Sequence, residues 1–137
     1  MIGWLNGEII PGDRAFISVT DRGFLLGDGV FDTLLLVDGK PQYLDQHIRR
    51  LENNAKILAI DPPKDLGNLG SIISELVKVS DQRQGRFVIR TTLSRGSGQR
   101  GLAISKESKP TFLISLSEAP PKSPNTETGL RLADVQK

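Results

Sequence analysis

The sequence predicts an α+β fold, an antiparallel sheet flanked by two helices, and three features of its patterning point there. Strand-like runs end in two-residue hairpin signals at Asn6-Gly7 and Asp38-Gly39, so neighbouring strands run antiparallel. Two middle segments repeat apolar residues at helical spacing: Ile48, Leu51, Ala55 and Leu58, then Leu66, Leu69, Ile73 and Leu76. Beyond them, Arg86 to Leu93 and Pro110 to Ser117 return to the alternation of half-buried strands.

Taken in order, Ile2 to Ile10 reads as a hairpin closed by Pro11-Gly12, and Ala15 to Val19 as a short strand. The stretch DRGFLLGDG from Asp21 reads as a glycine-rich turn, whose Gly23, Gly27 and Gly29 can take positive φ or pass close to a ligand. Val30 to Val37 is a strand and Pro41 to Leu44 its return strand. Asp45 is the expected N-cap of a helix carrying His47, Arg49 and Arg50, which Asp61-Pro62-Pro63 stops. The second helix starts at about Asp65, its first turns weakened by Gly67 and Gly70. Ser94 to Gly101 is a loop. Residues 1–118 are thus read as one α+β domain, 119–128 as a linker rich in Pro, Lys, Ser and Thr, and 129–137 as the start of a further domain.

A turn, a hairpin and an arginine-bearing helix in direct succession point to a small-molecule site with a fixed cation beside it. Composition agrees. A chain of 137 residues can bury an ordinary core. Its net charge of +2 is spread thinly, with one Trp and one Tyr to stack on bases, so nucleic acid is not an expected partner. Cysteine is absent, which removes disulfides, thiolate nucleophiles and zinc–thiolate sites from this chain. No apolar run approaches the ~18 residues of a membrane span, and MIGWLNGEII lacks the layout of a secretory signal, so the expected location is the cytoplasm with no membrane partner.

The loop Gly96-Ser97-Gly98-Gln99-Arg100-Gly101 matches G-x-G-x-x-G literally, but a dinucleotide fingerprint needs a helix opening at the glycines. Leu102 to Lys109 is short, lacks an apolar stripe and runs into Pro110, so that reading fails. A mobile loop presenting Arg95 and Arg100 remains, suited to closing on a carboxylate because a planar guanidinium pairs bidentately with one. The residues alone leave open the alternative of two solvated loop arginines. His47 is the only histidine, which excludes histidine clusters and favours a structural role in its helix. The spacing of Asp21, Asp28, Asp32 and Asp38 does not fit a calcium loop.

As a set, WLNGEII, DRGFLLGDGVFDT, the Asp38-Gly39 hairpin, HIRRL and RTTLSRGSGQRG resemble the class IV, fold-type IV aminotransferase family, which depends on pyridoxal 5'-phosphate. The resemblance covers nearly the whole chain and implies the small N-terminal domain of such an enzyme. It implies that Arg50 holds the cofactor phosphate, that Phe31 lines the substrate pocket, and that Arg100 helps to trap a substrate carboxylate across a homodimer interface. The loop and the hydroxyl of Thr33 are most similar to 4-amino-4-deoxychorismate lyase, where that hydroxyl assists proton handling as pyruvate leaves. Leu35 stands where branched-chain enzymes carry arginine, and Phe31 and Leu102 where D-amino-acid enzymes carry tyrosine and histidine. Transamination of D-amino or branched-chain amino acids is therefore the alternative activity, and a non-catalytic binding or oligomerisation module the alternative of another class. No metal site is expected. The family's Schiff-base lysine is expected beyond Lys137, so this chain by itself is expected to be inactive.

Overall fold

Alternation along the strands gives the sheet one apolar face and one mixed face, and the two long helices collect on the first. The structure, a computed structural model, describes residues 1–99, 101–104 and 108–121. Strands β1 (Ile2–Leu5), β2 (Glu8–Pro11), β3 (Gly29–Val37), β4 (Lys40–Pro41), β5 (Arg86–Ser94) and β6 (Thr111–Glu118) form one antiparallel sheet in the order β2-β1-β6-β5-β3-β4. Its register aligns Leu34, Ile89, Leu116 and Ile2 in one row, and Asp32, Thr91, Ile114 and Trp4 in the next. Those rows, apart from their polar members, share one buried cluster with α2 (Leu44–Ile57) and α3 (Leu69–Ser80). Trp4 closes the cluster edge-to-face on Phe112, with ring centroids 5.6 Å apart.

Both expected helices form, with Leu51, Ala55, Leu69, Ile73 and Leu76 buried as their spacing requires. The glycine-weakened start of the second is a 3-10 turn over Lys64–Asn68, which becomes regular helix at Leu69. Five expectations are corrected. Ala15 to Val19 forms no strand. The return strand is only Lys40–Pro41, because Tyr43 takes a left-handed conformation (φ +53°) and turns the chain directly into α2. Asp45 therefore lies inside the first helical turn, where its charge suits the helix dipole, instead of capping it. Leu58 ends its stripe outside α2, over a third exposed.

The fifth concerns DRGFLLGDG, which contains a short helix, α1 (Arg22–Leu26). Asp21 caps it by accepting from the Gly23 amide at 2.8 Å, and Gly27 ends it in the left-handed conformation at φ +67°. Gly29 serves a different need: a Cβ there would stand 2.7 Å from the Leu93 carbonyl oxygen of β5. The glycines thus answer to a helix end and to strand contact. β6 ends at Glu118, and residues 122–137, including the expected start of a further domain, lie outside the described residues.

Candidate functional site

Asp32 is the acidic interruption in β3. Strand alternation points it into the helix-covered face, where it is 5% exposed, while Phe31 and Thr33 point to the other face and are exposed. A buried carboxylate needs partners. Two residues of α2, one turn apart, supply them. Arg50 donates from Nε to Oδ2 at 2.7 Å and from Nη2 to Oδ1 at 2.6 Å, a bidentate pair. The His47 Nδ1 lies 2.7 Å from Oδ1. An acceptor that short and charged assigns the proton to Nδ1, so the Arg50 Nη2 atom, 3.2 Å away, is a neighbour of that nitrogen and not its donor. Burial pushes the Asp32 carboxyl up, but the bonds and charges from Arg50 and His47 outweigh it and leave its pKa below the usual value. Asp32 in turn raises the pKa of Arg50.

The guanidinium is held without being consumed. Its side chain remains 60% exposed, and its Nη1 nitrogen bonds no described residue. Oriented from behind by Asp32, it directs those N–H groups outward, an arrangement suited to a phosphate or carboxylate. β4 pairs only with Leu36 and Val37, so among the described residues β3 is a free edge at Phe31, Asp32 and Thr33. The Arg50 cluster sits against this edge on one side, and Phe31 and Thr33 stand on the other.

On that other face Arg90, paired in register with Thr33, lays its guanidinium over the Phe31 ring, 3.7 Å from the centroid. A cleft of about 450 Å³ opens beside them, walled by Ile17, Phe24, Phe31 and Leu113 with Thr92, Ser94 and Thr111 at its polar positions. Its floor includes Asp21, whose carboxylate accepts from Ser94 Oγ at 2.7 Å and Thr111 Oγ1 at 2.7 Å, besides the Gly23 amide. Phe31 lines this cleft, whereas Thr33 and Arg50 do not.

Arg95 has a different place from the expected one. It is 6% exposed and faces inward: it donates to both oxygens of Asp28, at 2.8 and 3.0 Å, and to the Leu58 and Ala59 carbonyls at the end of α2, at 2.6 and 2.8 Å. The loop is anchored as well. The Arg95 amide donates to the Asp28 carbonyl, the Arg22 amide to the Gly96 carbonyl, and the Gly98 amide to the Thr20 carbonyl. Asp28 also accepts from Arg22 Nε at 2.8 Å. The Arg95 bond is the largest influence on Asp28; burial opposes it, Arg22 adds to it, and the carboxyl ends below its usual pKa. Arg100 lies outside the described residues.

Arg22, Asp28, Asp32 and Arg90 were missed by sequence reasoning. Arg90 alone had a readable signal: alternation from Phe87 places it on the strand's polar face. His47 holds the structural position expected of it, and no group of described residues could hold a metal ion.

Residues 29–137 match the model of the amino-transferase class IV family. Aminodeoxychorismate lyase of Bacillus subtilis is 33% identical over 120 residues, which cover 88% of this chain and 41% of that protein. A putative branched-chain-amino-acid aminotransferase of Methanocaldococcus jannaschii is 36% identical over 118 residues, covering 86% of this chain and 40% of that one. Among solved structures, 4-amino-4-deoxychorismate lyase from Pseudomonas aeruginosa superposes with a TM-score of 0.75 at 34% identity, over 95% of this chain and 45% of that one. The chain spans less than half the length of these relatives.

Proposed function

The chain belongs to the amino-transferase class IV family, and from that premise we propose that it forms the small domain of a pyridoxal 5'-phosphate-dependent lyase converting 4-amino-4-deoxychorismate to 4-aminobenzoate and pyruvate. The observation that carries this reading is the Arg50 guanidinium, fixed by the buried Asp32, which His47 also bonds, yet open to solvent. A cation so oriented loses little freedom on binding a phosphate dianion, and the residues present fit that group. When bound, the cofactor supplies the electron sink for the substrate's breakdown. A second domain would complete its site.

This chain's own share is positional. Arg50 holds phosphate on one side of the free β3 edge. Across that edge Phe31 and Arg90 form a flat apolar and cationic wall for a cyclic carboxylate substrate, and Arg100 adds a second cation. The Thr33 hydroxyl, exposed in register with Arg90, carries a proton to or from the three-carbon fragment as it leaves. Phe24 on the cleft wall, and Phe16 and Val19 in the segment that precedes α1, are each at least 75% exposed. In the working enzyme, a homodimer, they are covered. No helix among the described residues is long and apolar enough to cross a membrane, and we assign the enzyme to the cytoplasm.

The apolar walls of the cleft favour a second reading, transamination of an amino acid with an aliphatic side chain. The two-domain protein given 4-amino-4-deoxychorismate should release pyruvate without an added 2-oxo acid. Amino transfer from D-alanine or leucine to 2-oxoglutarate, with no pyruvate released from the chorismate derivative, would select the second reading. Absence of both reactions would leave a binding module.

A further inference from the structure

Arg22 is buried at 5% exposure, and its guanidinium is almost fully spent on one stretch of backbone. Nη1 donates to the carbonyls of Gly101 and Ala103 at 3.0 and 3.2 Å, Nη2 to that of Leu102 at 3.2 Å, and Nε to Asp28 at 2.8 Å. Four of the five N–H donors of an arginine are thereby used. Three successive carbonyls turned toward one buried cation leave the side chain between them turned away, and Leu102 is 82% exposed. The same loop is pinned on its other arm through Gly96 and Gly98, and a Cβ on Gly98 would meet the Arg22 stem at 3.0 Å. Asp28 joins this grip to Arg95, which holds the end of the helix carrying Arg50.

We infer that Arg22 is a positioning residue: by gripping the Gly101, Leu102 and Ala103 carbonyls it holds the segment next to Arg100 in the conformation that meets substrate. This rests on the enzyme reading above. A planar fork is required, because a lysine ammonium on a flexible stem can pair with Asp28 but cannot span the three carbonyls as well. Arg95 provides a matched control. It shares Asp28 and the same depth of burial, and it bonds none of the three carbonyls.

The chain has no cysteine, so Leu102→Cys accepts a single nitroxide label. In the 137-residue chain, Arg22→Lys should shift the label's spectrum from an ordered to a mobile line shape, and Arg95→Lys should leave it ordered. In the two-domain enzyme without the label, Arg22→Lys should raise KM for the carboxylate substrate about tenfold, with kcat and cofactor affinity within twofold of wild type, and Arg95→Lys should leave that KM within twofold. An unchanged line shape in Arg22→Lys would overturn the grip. A mobile line shape with unchanged KM would overturn its role toward substrate. Equal responses in the two variants would reduce Arg22 to a stabilising residue. Failure of the wild-type enzyme to turn over would instead remove the reading beneath, while the label still reports on the grip.

Discussion

Two aspartates organise this protein at the scale of single residues, and both work by holding arginines. Asp28 compensates Arg22 and Arg95, each about 6–7% exposed at the side chain. Removing its charge leaves two buried guanidiniums facing each other, and Asp28→Asn is expected to lower the unfolding free energy by ~3–5 kcal/mol in a urea titration. The pH dependence follows from the direction of the shifts. Asp28 and Asp32 both release their protons more readily folded than unfolded. As pH falls through about 3.9, the unfolded chain therefore takes up protons first. Their contribution is complete above that value and drains away as pH falls further toward the folded values. A wild-type unfolding series from pH 7 to pH 3 should show that loss, and Asp28→Asn should flatten it. Neither aspartate was legible beforehand. The spacing test asked whether four aspartates could hold calcium, whereas each of these two answers to arginines 6 to 67 positions away. Phe31 and Thr33 could be placed on a common face from alternation alone, and they share one.

At the scale of elements, the two long helices were legible because each repeats its apolar residues over three turns, and Leu51 and Leu76 are fully buried. Leu51→Ala should cost ~2–5 kcal/mol of stability, read by thermal or urea unfolding, because it empties the contact between α2 and the sheet beneath Arg50. α1 was missed for the converse reason: five residues contain too little of a helical period to recognise, and its cap and stop looked like turn chemistry. The loop after β5 was misread in a related way. Glycines and polar residues imply mobility only when the backbone is unbonded, and here the Arg95 and Gly98 amides and the Gly96 carbonyl pair with residues 20–28. Gly29 shows the same lesson at a strand end. Gly29→Ala should destabilise by ~1–3 kcal/mol, because the new methyl meets the β5 backbone and not a movable side chain.

Across the whole molecule, α2 and α3 cover one face of the sheet, and the other carries Phe31, Thr33, Arg90 and a cleft walled in part by α1. The sequence reading placed a fixed cation beside a small-molecule site, but it could not say that the cation and the substrate residues lie on opposite faces. That division depends on which face the helices choose, which alternation alone leaves undetermined. The two faces meet at the unpaired edge of β3, where Asp32 turns one way and its neighbours the other. The account's central claim is that Arg50, oriented by Asp32, binds the cofactor through its phosphate. Its most direct test is a cycle of cofactor affinities in the two-domain protein, measured for pyridoxal 5'-phosphate and for pyridoxal, which lacks the phosphate, on the wild type and on Arg50→Ala. The account expects Arg50→Ala to weaken pyridoxal 5'-phosphate by about tenfold or more while pyridoxal binds both proteins alike. Equal losses for the two ligands, or no loss for either, would contradict it.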